Sequence, residues 1–98
     1  MLRTDLEARY LHLMREVLPA QARAEGWPIR LDHCFMRVAL DHVFEDAWYA
    51  HLDRRPAYRH LSAEQLAEAV RHAEAMREGG RPVVAAMNRQ SLRWRGKL

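Results

Sequence analysis

Four ionisable side chains follow one another at intervals of four residues and form the first candidate site. They are His33, Arg37, Asp41 and Glu45. Residues four apart lie on the same face of a helix, so these side chains form a polar stripe on an otherwise apolar segment. Because an imidazole and a carboxylate can exchange protons with a bound molecule, His33, Arg37 and Asp41 are a candidate ligand pocket or acid–base site.

The alternative interpretation of this stripe is structural. A charge in the middle of an apolar helix needs a partner, so we expect Arg37 and Asp41 to pair within a salt-bridge network that joins this helix to arginines of a neighbouring loop. Those loop arginines are Arg54, Arg55 and Arg59. The sequence leaves the functional and the structural interpretation open.

The C-terminal segment 81–98 carries five of the sixteen cationic residues and none of the thirteen acidic ones. Arg89 and Arg93 lie four apart and share one helix face, and the nearby Trp94 has a ring that can stack on an unpaired base. The segment therefore predicts a surface that binds nucleic-acid phosphates. Its residues would be Arg89, Arg93, Trp94, Arg95 and Lys97. The alternative is a solvated helix end whose cations interact favourably with the helix dipole.

The histidines do not have the spacing of a metal site. Four of the six recur every nine residues, at 33, 42, 51 and 60. Nine residues are two and a half helical turns, so neighbours in this series point to opposite sides of a helix. We therefore predict no metal and no cofactor, and His42 is expected to be a hydrogen-bonded histidine of the core. The chain has neither a phosphate-binding glycine loop nor a nucleophile elbow, which favours binding over catalysis.

The composition is that of one folded domain, 1–98. Of the 98 residues, 49% are apolar and 30% are charged, which excludes an intrinsically disordered chain. The single cysteine, Cys34, excludes an internal disulfide and is expected to be a small buried residue. The first residues contain no apolar signal segment, and no apolar run approaches the roughly 18 residues of a membrane span. We therefore expect a cytoplasmic protein without a membrane partner.

Two helices are predicted in the first half of the chain. The first begins at Thr4, which has the capping-box spacing with Glu7, and Pro19 is expected to stop or kink it. The second begins after Asp32, a good N-cap, and continues to about residue 45. Because the second helix is apolar around most of its circumference, it is expected to be the centre of the core.

Two further helices are predicted in the second half. Ser62 and Gln65 have capping-box spacing and start the third helix, which the pair Gly79-Gly80 ends. The fourth helix begins near Pro82 and continues to about residue 93. The predicted fold is therefore all-α, a compact bundle of about four helices with a central apolar helix at about residues 32–46.

The basic C-terminal helix suggests a small nucleic-acid-binding accessory or regulatory protein, with DNA or RNA as the partner. The alternative is a protein–protein interaction module or homodimer without catalytic activity, because a short chain with this many large apolar residues favours self-association. Trp27, Trp48, Tyr49 and Tyr58 would form its contact surface. An enzyme built on the polar stripe is the third hypothesis.

Overall fold

A computed structural model describes residues 2–98, and its regular elements are all helical. The elements are α1 (Arg3–His12), a π-helical turn (Leu13–Val17), α2 (Leu18–Glu25), α3 (Asp32–Phe44), two short 3₁₀ turns (Trp48–Ala50 and Ala57–His60) and α4 (Ala63–Trp94). No strand occurs in this part of the chain, so the fold is all-α, as predicted. Within the same residues, no helix combines the length and the apolar character needed to cross a bilayer.

The start of α1 differs from the expected capping box. The helix begins at Arg3 with Leu2 as its N-cap, and no side chain caps it. Thr4 is therefore already inside the helix, where its hydroxyl is in the wrong place to bond the first free N–H groups. Glu7 instead accepts a hydrogen bond from Arg3, with 3.0 Å between Nε and Oε2.

Pro19, which was predicted to stop or kink the first helical segment, does not stop it. In an α-helix the proline ring would collide with the carbonyl group four residues earlier, and the missing N–H would leave that group unpaired. Just before Pro19, the chain makes a wider π turn at Leu13–Val17, in which the N–H of Leu18 bonds the carbonyl oxygen of Leu13. The helix continues through this turn until Gly26, whose left-handed backbone ends α2 as predicted.

The helix α3 is the spine of the core and packs mainly against α4. Its buried apolar residues are Phe35, Val38, Ala39 and Leu40. The N-cap is Leu31 rather than Asp32, whose carboxylate accepts a hydrogen bond only from the adjacent N–H of His33, at 2.7 Å. Cys34 is partly exposed rather than buried.

The helix α4 consists of two helical parts, as predicted. Ser62 and Gln65 form the expected capping box, with N–H to side-chain oxygen distances of 2.8 and 3.1 Å. Gly80 interrupts the helix with φ 67° and ψ −155°, a backbone conformation that is sterically unfavourable for residues with a Cβ atom. A Cβ on Gly79 would collide with Val83, so the two glycines allow both the break and the close approach of the next turn.

Most of the aromatic residues assigned to a contact surface lie inside the fold. Trp27 and Tyr58 are buried, and Trp48 is half-buried. Trp27 packs edge-on against Phe35, with 6.1 Å between the ring centroids. Only Tyr49 has an exposed side chain, so the four aromatic residues do not form one continuous apolar patch.

Candidate functional site

A cleft of about 610 Å³ opens between α3, the loop 45–62, the first helical segment and the last turn of α4. Four arginines and four aromatic residues line it, and none of the lining residues is acidic. We call it the arginine cleft. Its lining is Tyr10, Arg15, His33, Met36, Arg37, Leu40, Trp48, Tyr49, Arg55, Pro56, Ala57, Tyr58 and Arg95.

Asp41 lies behind the cleft and is completely buried. It forms a bidentate ion pair with Arg95, with 2.7 Å from Nε to Oδ2 and 3.1 Å from Nη2 to Oδ1. The Ser91 hydroxyl donates to Oδ2 at 2.7 Å, and the Trp48 N–H donates to Oδ1 at 3.0 Å. These four hydrogen bonds use the acceptor capacity of the carboxylate and compensate for the loss of its hydration on burial. Asp41 thus connects α3 to two walls of the cleft.

Arg37 is coupled to Asp41 indirectly. Its Nη1 donates to the Ser91 hydroxyl at 2.7 Å, and its Nη2 donates to Asn88 Oδ1 at 2.8 Å. No ion pair joins Arg37 and Asp41, so the expected direct pairing is wrong. Ser91 from α4 lies between the two side chains and relays one hydrogen bond to the other. The partners therefore come from α4 rather than from the loop arginines.

Arg37 and Arg95 each keep N–H donors that make no hydrogen bond within residues 2–98. A guanidinium group has five N–H donors. Arg37 and Arg95 each use two of them for the bonds just described, which leaves three on each. The ion pair with Asp41 raises the pKa of Arg95, since the hydrogen bond to the carboxylate stabilises its charged form. These hydrogen bonds hold both arginines in place.

The other two arginines of the cleft are exposed and make no hydrogen bond within residues 2–98. Arg55 lies over the ring of Trp48, with its guanidinium carbon 5.0 Å from the ring centroid. Arg15 lies near Tyr10. The wall that carries Arg55 is tethered to α1, because Arg3 donates to the Tyr58 carbonyl oxygen at 3.1 Å.

Tyr10 borders the cleft and has a buried hydroxyl. Its side chain is fully buried, and within residues 2–98 its hydroxyl has no hydrogen-bond partner. Burial raises the pKa of this phenol, and the neighbouring Tyr58 raises it further. The hydroxyl therefore stays protonated, and a ligand atom that accepts from it would relieve the cost of about 1–3 kcal/mol of an unpaired buried group.

The polar stripe of α3 is only partly assembled into one site. Arg37 and Asp41 belong to the network described above, and His33 lies at the rim of the cleft with a largely exposed side chain. The nearest acid to His33 is Asp32, at 3.6 Å from Nδ1 to Oδ1. Because other groups occupy both oxygens of Asp41, His33 and Asp41 do not form an acid–base pair. Glu45 is exposed at the left-handed C-cap of α3.

The five residues of the predicted nucleic-acid surface fall into two groups. Arg89, Arg93 and Lys97 are exposed. Trp94 packs edge-on against His42, with 4.9 Å between the ring centroids. Arg95 is bound to Asp41, and only 15% of its side chain is exposed.

His42 makes the hydrogen bond expected of a core histidine. Its Nε2 lies 3.1 Å from the carbonyl oxygen of Met87, and its ring is near that of His72, at 5.4 Å between centroids. Burial and the neighbouring His42 lower the pKa of His72. In the described part of the chain, no group of three His, Cys, Asp or Glu side chains is placed to hold a metal ion.

Sequence reasoning did not associate Tyr10, Arg15, Ser91 or Asn88 with any site. Tyr10 is buried and Arg15 is exposed, as their spacing along the first helical segment would indicate. What spacing does not reveal is that the loop 45–62 folds over their helix. Ser91 carried one weak signal: it is a small hydroxyl residue that helical periodicity places on the inner side of α4.

A comparison with protein-family models, with curated proteins and with solved structures found no match for this chain. Its function is therefore inferred from the chemistry of the residues described above.

Proposed function

We propose that this chain is a binding protein whose ligand is a small anion held in the arginine cleft. One observation carries the proposal: four arginines and no acidic residue line the cleft. A guanidinium group matches the geometry of a carboxylate or phosphate with two parallel hydrogen bonds. A site lined by four arginines and no acidic residue is poorly suited to a cation and well suited to an anion.

The shape and the interior of the cleft support the same proposal. Its volume of about 610 Å³ lies within the range of roughly 300–1,000 Å³ that is typical of small-molecule sites. Asp41 holds Arg95 directly and Arg37 through Ser91, so their donors are pre-positioned before the ligand arrives. Less side-chain ordering is then needed on binding, which favours affinity.

Calorimetric titration with benzoate and with inorganic phosphate tests the proposal. The variant R15A/R55A removes the two cleft arginines that make no hydrogen bond within residues 2–98, so the fold should survive. The matched control is R71A/R81A, which removes the same charge from exposed positions outside the cleft lining. We expect at least one anion to bind, the cleft variant to lose about tenfold or more in affinity, and the control to lose little. Absence of binding to both anions, or an equal loss in both variants, would reject the proposal.

A second candidate function is nucleic-acid binding by the exposed cations of α4. The observation that favours it is the exposure of Arg89, Arg93 and Lys97 on a segment without acidic residues. Trp94 and Arg95 are left out, because their side chains contact residues of the chain itself.

The salt dependence of duplex DNA binding tests this second candidate. Three phosphate contacts predict a log–log slope of roughly −3 in affinity against salt. R89A/R93A should reduce that slope by about two units and weaken all sequences alike, because phosphate contacts carry no base information. Absence of DNA and RNA binding at low salt would exclude it.

A further inference from the structure

The charge of the arginine cleft exceeds what a single carboxylate needs. Four guanidinium groups line it, and within residues 2–98 the only acidic group bound to any of them is the buried Asp41. The four arginines and Asp41 together therefore have a net formal charge of three positive units. A doubly charged anion with several acceptor oxygens can accept more hydrogen bonds from these arginines than a singly charged anion with two acceptor oxygens.

The aromatic residues of the cleft lie next to its cations. Trp48 and Tyr49 are neighbours in sequence, and their rings meet edge to face with 6.2 Å between the centroids. Arg55 lies over Trp48, and Arg95 lies over Tyr49 at 5.1 Å from its ring centroid. Because each guanidinium group covers one face of its ring, the aromatic surface left for a ligand beside the arginines is the other face of Tyr49, whose side chain is exposed. Base–aromatic stacking is the interaction that such a surface offers to a planar ring.

We infer that the ligand of the cleft is a phosphate monoester joined to an aromatic base, which is the chemistry of a mononucleotide. The arginines bind the phosphate, and the ring of Tyr49 stacks on the base. The same chemistry occurs in a free nucleotide and at the phosphorylated end of a nucleic-acid strand. The inference rests on the proposed function, because it specifies the anion bound in the same cleft.

Calorimetry with a set of related compounds tests the inference. The compounds are adenosine 5′-monophosphate, ribose 5-phosphate, adenosine and benzoate. If phosphate and base both contribute, the mononucleotide should bind about tenfold or more tightly than each of the other three. An equal affinity for benzoate or adenosine would overturn the inference, and so would an equal affinity for ribose 5-phosphate.

Two variants, with R71A/R81A as the control, distinguish the role of the aromatic ring from that of the arginines. Y49A should weaken mononucleotide binding about tenfold and leave ribose 5-phosphate binding unchanged. The side chain of Tyr49 is exposed, so its removal should not unfold the protein. R15A/R55A should weaken both compounds, and R71A/R81A should weaken neither. An unchanged mononucleotide affinity in Y49A would overturn the role of the aromatic wall and the inference with it.

Short oligonucleotides identify the source of the ligand. If a strand with a 5′-phosphate binds at least as tightly as the mononucleotide and its 5′-hydroxyl form does not, the ligand is a strand end. If only the mononucleotide binds, the ligand is a free nucleotide, and both results support the inference. Should benzoate bind as tightly as the mononucleotide, with dependence on Arg15 and Arg55, the inference fails and the proposed function stands. Should no anion bind, both fail.

Discussion

Replacing Asp41 by Asn is expected to destabilise the fold by about 3 kcal/mol, at the lower end of the range for breaking a buried ion pair. The carboxylate is fully buried and accepts four hydrogen bonds, two of them from Arg95. Asn keeps the shape of the side chain but removes the charge, and one of its terminal atoms becomes a donor facing other donors. Because 15% of the Arg95 side chain is exposed, the stranded guanidinium can reach water in part, which argues against the upper end of the range.

Urea denaturation measures this loss as a shift of the midpoint with an unchanged m-value. For a domain of this size, about 3 kcal/mol also corresponds to a fall in Tm of roughly 12–24 °C. A double-mutant cycle with D41N and R95M should give a coupling free energy of about 1.5 kcal/mol or more, since the two side chains are in direct contact. The cycle of D41N with R37M should give a smaller value, because Ser91 separates those residues. A loss below about 1 kcal/mol in D41N would refute the reasoning, because it is the value expected of an exposed pair.

Three further predictions concern pH, backbone and assembly. Burial lowers the pKa of His72 in the folded protein below its ordinary 6.5, so the unfolded chain takes up its proton first and stability should fall as the pH drops below about 6.5. The urea midpoint should therefore decrease less between pH 7.5 and 5.5 in H72Q than in the wild type, and an equal decrease would contradict this. G80A should cost about 1–2 kcal/mol in the same assay, because alanine resists the positive φ of this position; a neutral effect would show that the break does not need glycine. Self-association stays a prediction for this short chain, and a strictly monomeric mass by light scattering at high micromolar concentration would reject it.

The elements that the sequence predicts well are those with local signals. The capping box at Ser62 and the break at Gly79-Gly80 depend on residues within one turn of each other, and both are present. The capping box predicted at Thr4 is absent and Pro19 does not stop the helix, because in each case another local arrangement competes. The Arg3–Glu7 pair occupies the carboxylate that the capping box needs, and a π turn accommodates the proline.

The candidate site is predicted only in part, because its lining comes from four distant segments. The stripe on α3 correctly indicated that Arg37 and Asp41 need partners in a packed helix. Spacing along one helix does not show which other helix supplies them, and Ser91 is fifty residues beyond Asp41. The basic segment was identified by its charge alone, and charge does not reveal that Arg95 faces inward.

The ion pair between Arg95 and Asp41 affects the order in which parts of the protein unfold locally. Terminal helical turns normally fray first, and their amide hydrogens exchange rapidly with solvent. Here the last turn of α4 is bound to the last turn of α3 through the buried carboxylate of Asp41, and the Lys97 N–H bonds the Leu92 carbonyl oxygen at 2.8 Å. Fraying of this turn would leave the buried Asp41 carboxylate without its ion-pair partner. The amides of residues 92–95 should therefore exchange together with those of α3, as one cooperative unit.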